Sequence, residues 1–218
     1  MTKREAFERW LLLLLQSEGS CLPAEGETNE AAFDRCRKQA FSNDANDPGR
    51  ATQMGVTIAI WRLWCQTMYG IEEATVESLH TITYTQWRDI VKAFYWDMLP
   101  IIHTPFDCIA VAIADYYWHS GGVAVRDMQR ELGCTPDGIV GPQTKARLRH
   151  CVKTRDNART WVARYNARRL ARLARLPQAP HYINGWTRRV SALNAAIYDL
   201  DLNDDERKAR RNNEETSA

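Results

Sequence analysis

At 218 residues, with 44% hydrophobic and 26% charged side chains, the chain has enough apolar material for one large domain or two small ones with a proper core, which excludes a disordered protein. A formal net charge of +2 gives no reason by itself to infer an acidic partner, although arginines crowd residues 145–189. No stretch is apolar for long enough to span a membrane, and the six cysteines, Cys21, Cys36, Cys65, Cys108, Cys134 and Cys151, lack the paired spacing of a zinc site.

The first predicted element is a helix in which Phe7, Trp10, Leu11, Leu14 and Leu15 recur at helical spacing, so that one face is buried. Lys3 and Arg4 ahead of the apolar run 10–15 have the outline of a signal peptide. The run is short, however, it follows Glu5, Glu8 and Arg9, and it lacks a small-x-small cleavage site, so it reads as a folded helix. Without an export signal the cysteines are expected to be reduced and mostly buried. A bridge between Cys21 and Cys36, at either end of one insertion, is the exception to test. The helix ends at Glu18-Gly19-Ser20. Glu18 gains a rigid mount there, and Gly19 is expected to stop the helix in a left-handed conformation, with no side chain to crowd a ligand.

Residues 21–46 form an insertion rich in Glu, Asn, Asp and Gly, with a short amphipathic helix predicted over 29–41 through Ala32, Phe33, Cys36 and Ala40. A turn-rich segment follows, Asp47-Pro48-Gly49-Arg50-Ala51-Thr52-Gln53-Met54-Gly55. Residues 57–69 are apolar at mixed spacing and end at Gly70, a helix C-terminus, and 72–80 make a short helix or turn. Trp87, Ile90, Val91, Phe94 and Met98 define an amphipathic helix over 85–99, stopped by Pro100. A new unit opens at Thr104-Pro105-Phe106-Asp107, with a capping threonine, proline at the first helical position and an acid at the third. Its helix runs through Ile109, Ile113 and Tyr117 to Gly121-Gly122, and a second covers 123–132 and ends at Gly133. Asp137-Gly138 and Gly141-Pro142 then mark successive tight turns, with Thr144 helping to start the next helix. A long helix over 157–176 carries Arg164, Arg168, Arg172 and Arg175 on one stripe, and residues 201–218 read as a disordered charged tail.

In order, Glu18-Gly19-Ser20, Asp47-Pro48-Gly49-Arg50-Ala51-Thr52 and Met54-Gly55-Val56 resemble glycoside hydrolase family 108, the N-acetylmuramidases of phages and bacteria. The family pattern is Glu-Gly-Gly, then Asp-x-Gly-Gly-x-Thr-x-x-Gly-Ile. This chain departs from it at Ser20 and at Arg50, each standing where the pattern has glycine. Tyr95-Trp96 matches an aromatic pair of that family and either fills the core or stacks on sugar. Gln129, then Asp137-Gly138-Ile139-Val140-Gly141-Pro142-Gln143-Thr144, and finally Gly185-Trp186 with Arg189, resemble the type 3 peptidoglycan-binding half that accompanies these domains. Where the family has Asp-x-x-x-Asn-x-Gly, this chain has Asp115, His119 and Gly121.

The resemblance implies an all-α, lysozyme-like fold, with a catalytic part over 1–100 packed on a helical peptidoglycan-binding part over 101–200. It implies a peptidoglycan hydrolase of endolysin type, cleaving between N-acetylmuramic acid and N-acetylglucosamine by general acid/base catalysis, with neither metal nor cofactor. Such cleavage needs an acid for the leaving oxygen and a second carboxylate for the water. Glu18, against an apolar helix, suits the acid, Asp47 on its turn suits the base, and Thr52 orients the water. Substrate-binding candidates are Gly19, Arg50, Gly55, Tyr95, Trp96, Asp137 and Trp186, with Arg50 placed to grip the acidic groups of peptidoglycan. The arginine stripe reads as a solvated face, or as a surface for anionic wall polymers, lipopolysaccharide or nucleic acid, although no dedicated nucleic-acid partner is expected. The alternatives are a lytic transglycosylase working with the one glutamate, and a non-catalytic wall-binding or secretion-associated protein. Synthesis in the cytoplasm of the host bacterium, with release to the wall by another agent, completes the expectation.

Overall fold

Helix α1, Lys3–Gly19, buries the face that its spacing predicts, with Phe7, Trp10, Leu11, Leu14 and Leu15 all at 2% exposure or less. It belongs to a computed structural model that describes residues 3–19, 22–44, 50–71, 73–99, 104 and 106–200. The chain divides into two compact units, one of residues Glu8–Phe94 and one that runs from Tyr95 onward and takes in α1 as far as Phe7. The described residues are mainly helical, with one three-stranded sheet.

The Glu8–Phe94 unit holds the rest of α1, then α2 (Asn29–Arg37), β1 (Phe41–Asn43), β2 (Ala51–Gln53), β3 (Val56–Thr57), α3 (Ile58–Tyr69), α4 (Val76–His80) and α5 (Tyr84–Val91). The helices start where the sequence supplies a hydroxyl. Thr28, Thr57, Thr75 and Thr83 each accept a backbone N–H of the first turn, and Thr83 completes a reciprocal capping box with Gln86. Gly70, at φ 66°, ends α3 in the left-handed region, as predicted. Phe33 of α2 packs on Trp87 of α5 at 5.4 Å and on Tyr84 at 5.8 Å, which fixes the two helices against each other.

The sheet was not anticipated. Its strands are two or three residues long, too short to show an alternating pattern, and the segment reads as turns. The strands are antiparallel in the order β1-β2-β3, with Ser42 opposite Thr52 and Gln53 opposite Val56. Met54 and Gly55, at φ 49° and 76°, form the two-residue β2–β3 connection, whose positive angles match the twist of the flanking strands. The helix predicted over 29–41 stops at Arg37, because Phe41 pairs into β1 instead.

A π-helical segment, Lys92–Trp96, replaces the last turns of the α-helix predicted over 85–99, and the second unit begins within it at Tyr95. Then come α6 (Asp107–Ser120), α7 (Gly122–Glu131), α8 (Pro142–Cys151), α9 (Arg155–Leu173) and α10 (Ala179–Leu200). Every residue of α6 from Asp107 to Tyr116 is buried, the mark of a central helix, and α7, α9 and α10 all pack on it. Two predicted helix starts are corrected. α6 begins after Phe106 with no side-chain cap, Thr104 donating instead to the Phe106 carbonyl at 3.1 Å, while Pro105 lies outside the described residues. α8 begins at Pro142, and Thr144 is buried inside its first turn. The tail predicted over 201–218 also lies outside the described residues. No helix of the described residues is long and apolar enough to cross a membrane.

Candidate functional site

The last turn of α1 presents Glu18, half-buried, followed by Gly19. Gly19 is still helical, so the expected left-handed stop is overturned; the reason for a glycine here is space. A Cβ at Gly19 would stand 3.0 Å from Met54 Cε, 3.1 Å from Cys36 Cβ and 3.3 Å from Met54 Sδ. The end of α1 is therefore pressed against both α2 and the β2–β3 turn. That turn is itself pinned. Trp87 Nε1 donates to the Met54 carbonyl at 2.9 Å, and the buried Gln53 amide donates to the Arg37 carbonyl at the end of α2. Cys36 is disulfide-bonded and Cys65, Cys108, Cys134 and Cys151 are free thiols; the proposed partner Cys21 lies outside the described residues.

Thr52 sits in the middle of β2, on the face opposite the buried Ala51 and Gln53, and its hydroxyl donates to the Arg50 carbonyl at 3.3 Å. Asp47 lies outside the described residues. Arg50 is exposed and has φ 50°, the left-handed region that favours glycine. Its position is the second glycine of the family pattern, so the backbone demand persists although the residue has changed. Gly55 serves the hairpin turn, whose geometry requires its φ of 76°.

The other predicted residues fall in the second unit. Trp96 is 3% exposed and packs on Phe7 at 5.4 Å, which makes it a core ring and corrects its assignment as a sugar platform. Tyr95 is half-buried, 4.5 Å from Trp118 and 6.0 Å from Tyr117. Asp137 is exposed and closes its loop. Its Oδ1 accepts from Gln129 Nε2 at 2.6 Å and from the Ile139 amide at 2.8 Å, and these bonds hold its carboxyl below the usual range. Gln129, 1% exposed, is the hub of this motif, for its Oε1 also accepts the Gly138 amide at 2.8 Å and its Nε2 reaches the Ile139 carbonyl and the Thr144 hydroxyl.

Trp186 is half-buried on α10, stacked on the exposed Tyr182 at 5.8 Å and edge-on to His119 at 6.0 Å. Beneath it lies a group that sequence reasoning did not assemble. The carboxylate of Asp115 is buried and receives Arg169 Nη1 at 2.8 Å, Arg189 Nη2 at 2.9 Å and Arg189 Nε at 3.3 Å. Burial alone would raise the Asp115 carboxyl; the two guanidinium groups outweigh it and hold it well below the usual range. His119 is driven down to about 3, first by burial and then by the charges of Arg169 and Arg189, so its ring is neutral. In the sequence Asp115 and Arg189 belong to separate motifs. Arg169 had no signal, being one arginine in a helix full of them. Among the described residues no cluster of three or more His, Cys, Asp or Glu side chains is arranged to hold a metal.

Residues 26–121 match the family model of Glycosyl hydrolase 108, and residues 123–191 match that of a Predicted Peptidoglycan domain. Asp47, Arg50, Thr52, Gly55, Tyr95 and Trp96 fall within the first match, Asp137 and Trp186 within the second, and Glu18 and Gly19 precede both. No curated protein matches the chain. Among solved structures, SagA of Brucella abortus superposes with a TM-score of 0.68 at 24% identity, over 92% of this chain and 98% of that one, and so shares the fold.

Proposed function

We propose that this chain, whose residues 26–121 match the glycosyl hydrolase 108 model and whose residues 123–191 match that of a peptidoglycan domain, is a peptidoglycan hydrolase that cleaves the bond between N-acetylmuramic acid and N-acetylglucosamine. Glu18 is the general acid, Asp47 the base that activates water, and Thr52 the residue that orients that water or a substrate hydroxyl. The observation that carries this reading is the contact of Gly19 with Met54 and Cys36. It ties the helix end bearing Glu18 to the hairpin bearing Thr52 and removes the side chain that would keep them apart. A rigid mount of this kind suits general acid catalysis, which fails when donor and leaving oxygen drift out of hydrogen-bond reach.

An acid and a base acting through water stand roughly 6.5 to 9.5 Å apart and give an inverted product, whereas a nucleophilic carboxylate stands at roughly 5 to 5.5 Å. The proposal takes the wider spacing. In a wall-lysis assay Glu18→Gln should lower the rate by about 10² to 10⁴, the usual contribution of a positioned proton donor, with wall binding intact. Asp47→Ala should cost less, since protonation of the leaving group persists. Lysis by Glu18→Gln near the wild-type rate would remove Glu18 from the chemistry. Product ends decide the reaction: a reducing sugar means hydrolysis, and an anhydro-sugar would replace it by transglycosylation with Glu18 alone.

A further inference from the structure

In the unit that follows Tyr95, α7 and α9 enclose a groove of about 800 Å³ whose charge is unbalanced. Its floor holds the carboxylates of Asp127 and Glu131, only 6% and 5% exposed. From them guanidinium groups rise to the surface. Arg130 pairs with Asp127 at 2.7 Å, and Arg164 and Arg168 pair with Glu131 at 2.6 and 3.2 Å, while the three arginines remain 46%, 66% and 40% exposed. Arg172, which hydrogen-bonds the Tyr116 side chain, and Arg175 line the same groove without an ion pair to either of its two carboxylates. Five guanidinium groups stand over two carboxylates, a surplus of three positive charges.

A solvated stripe would not need buried acids beneath it. Here the acids fix the direction of three flexible side chains and use only part of each guanidinium fork, so the remaining N–H groups are pre-oriented for a ligand. Arg164 to Arg172 is a step of eight residues along α9, about 12 Å of groove at about 1.5 Å per residue, and Arg175 extends the row just past the helix end. A single small anion cannot engage that length, but a chain bearing several acidic groups can.

We propose that this groove binds the peptide stems of peptidoglycan through their carboxylates. This rests on the reading of the chain as a peptidoglycan hydrolase and deepens it, since both walls of the groove lie in residues 123–191, matched to a peptidoglycan domain. The amino-sugar backbone of the polymer is largely neutral and its acidic groups sit on the stems, so a cationic groove recognises the stem and leaves the glycan to the catalytic unit. The groove would favour walls whose stems carry free carboxylates over walls in which they are amidated.

The test uses the full chain, purified sacculi, the same sacculi with carboxylates amidated chemically, and the double variant Arg172→Gln/Arg175→Gln, which leaves the Asp127 and Glu131 pairs in place. Wild type should bind untreated sacculi about tenfold more tightly than amidated ones, and the double variant about tenfold more weakly than wild type, each exposed charge contact being a factor of a few. Free stem peptide should compete, whereas a neutral chitin oligosaccharide should not. Arg175→Glu, a single exposed change, should weaken binding in the same direction and guards against misfolding of the double variant. Equal binding to both sacculi, or wild-type binding by both variants, overturns the groove and leaves the hydrolase reading standing. No binding of wild type to untreated sacculi overturns the peptidoglycan reading itself. Competition by DNA or by lipid A vesicles but not by stem peptide overturns the stem in favour of a phosphate-bearing partner.

Discussion

Gly19→Ala tests how the end of α1 is held. The added methyl would lie 3.0 Å from Met54 Cε and 3.1 Å from Cys36 Cβ, so one neighbour must yield by a few tenths of an ångström. Met54 is flexible and its terminal methyl yields first; Cys36 is held by α2 and by its disulfide. Overpacking of this kind costs about 1–3 kcal/mol, against which alanine recovers up to about 1 kcal/mol of helix propensity, less at a terminal position. The net expectation is a loss of about 1 kcal/mol, or a fall in Tm of about 2–4 °C for a protein of this size. Wall lysis should fall several-fold, because Glu18 is the adjacent residue and misplacement by about 1 Å can cost about a hundredfold. Urea denaturation and lysis rates on one wall preparation measure both. In a double-mutant cycle with Met54→Ala the two changes should couple by about 1 kcal/mol, since the smaller residue makes room for the methyl. Unchanged stability and lysis, or additivity in the cycle, would refute close packing as the reason for this glycine.

Arg50→Gly should stabilise the protein by about 1 kcal/mol in denaturant titration, because a side chain at φ 50° carries a steric penalty of about 1–2 kcal/mol that glycine escapes, offset in part by chain entropy. Asp115→Asn should cost about 3–5 kcal/mol, read as a fall in Tm, since it leaves the fully buried Arg169 without its counter-charge. His119 is neutral in the fold down to about pH 3 but takes up a proton near pH 6.5 when unfolded. The unfolded state therefore binds the extra proton between those values, and stability should fall with acidification below about 6.5 by about 1.4 kcal/mol per pH unit from this group. Melts of wild type and His119→Gln from pH 7 to 4.5 check it, and equal slopes would show that the ring is not buried neutral.

The helices were legible where one local signal sufficed. The apolar stripe of α1, the stop of α3 at Gly70 and the break after Gly121 follow from spacing and from glycine, and the structure has them. Prediction failed where two signals competed. Thr104-Pro105 looks like a cap, yet α6 starts later because every residue from Asp107 to Tyr116 is buried and its first turn is placed by packing. The aromatic pair Tyr95-Trp96 reads from sequence as core before platform, and the packing of Phe7, far away in the chain, on Trp96 decides for core at that ring.

Residue types and their order determined by themselves that Glu18 closes an apolar helix, that Asp47 and Thr52 follow on a turn-rich segment, and that the second half carries a motif built on Gln129 and Asp137, because these are properties of neighbours in the chain. Tertiary structure decided what those residues are for. Gly19 turned out to be a contact rather than a stop, Asp137 closes a loop on Gln129, and the arginines of α9 line a groove with Glu131 at its floor. The physical reason is the same in each case. The deciding partner, Met54, Gln129 or Glu131, belongs to another element, and sequence spacing carries no information about which elements will press their side chains together.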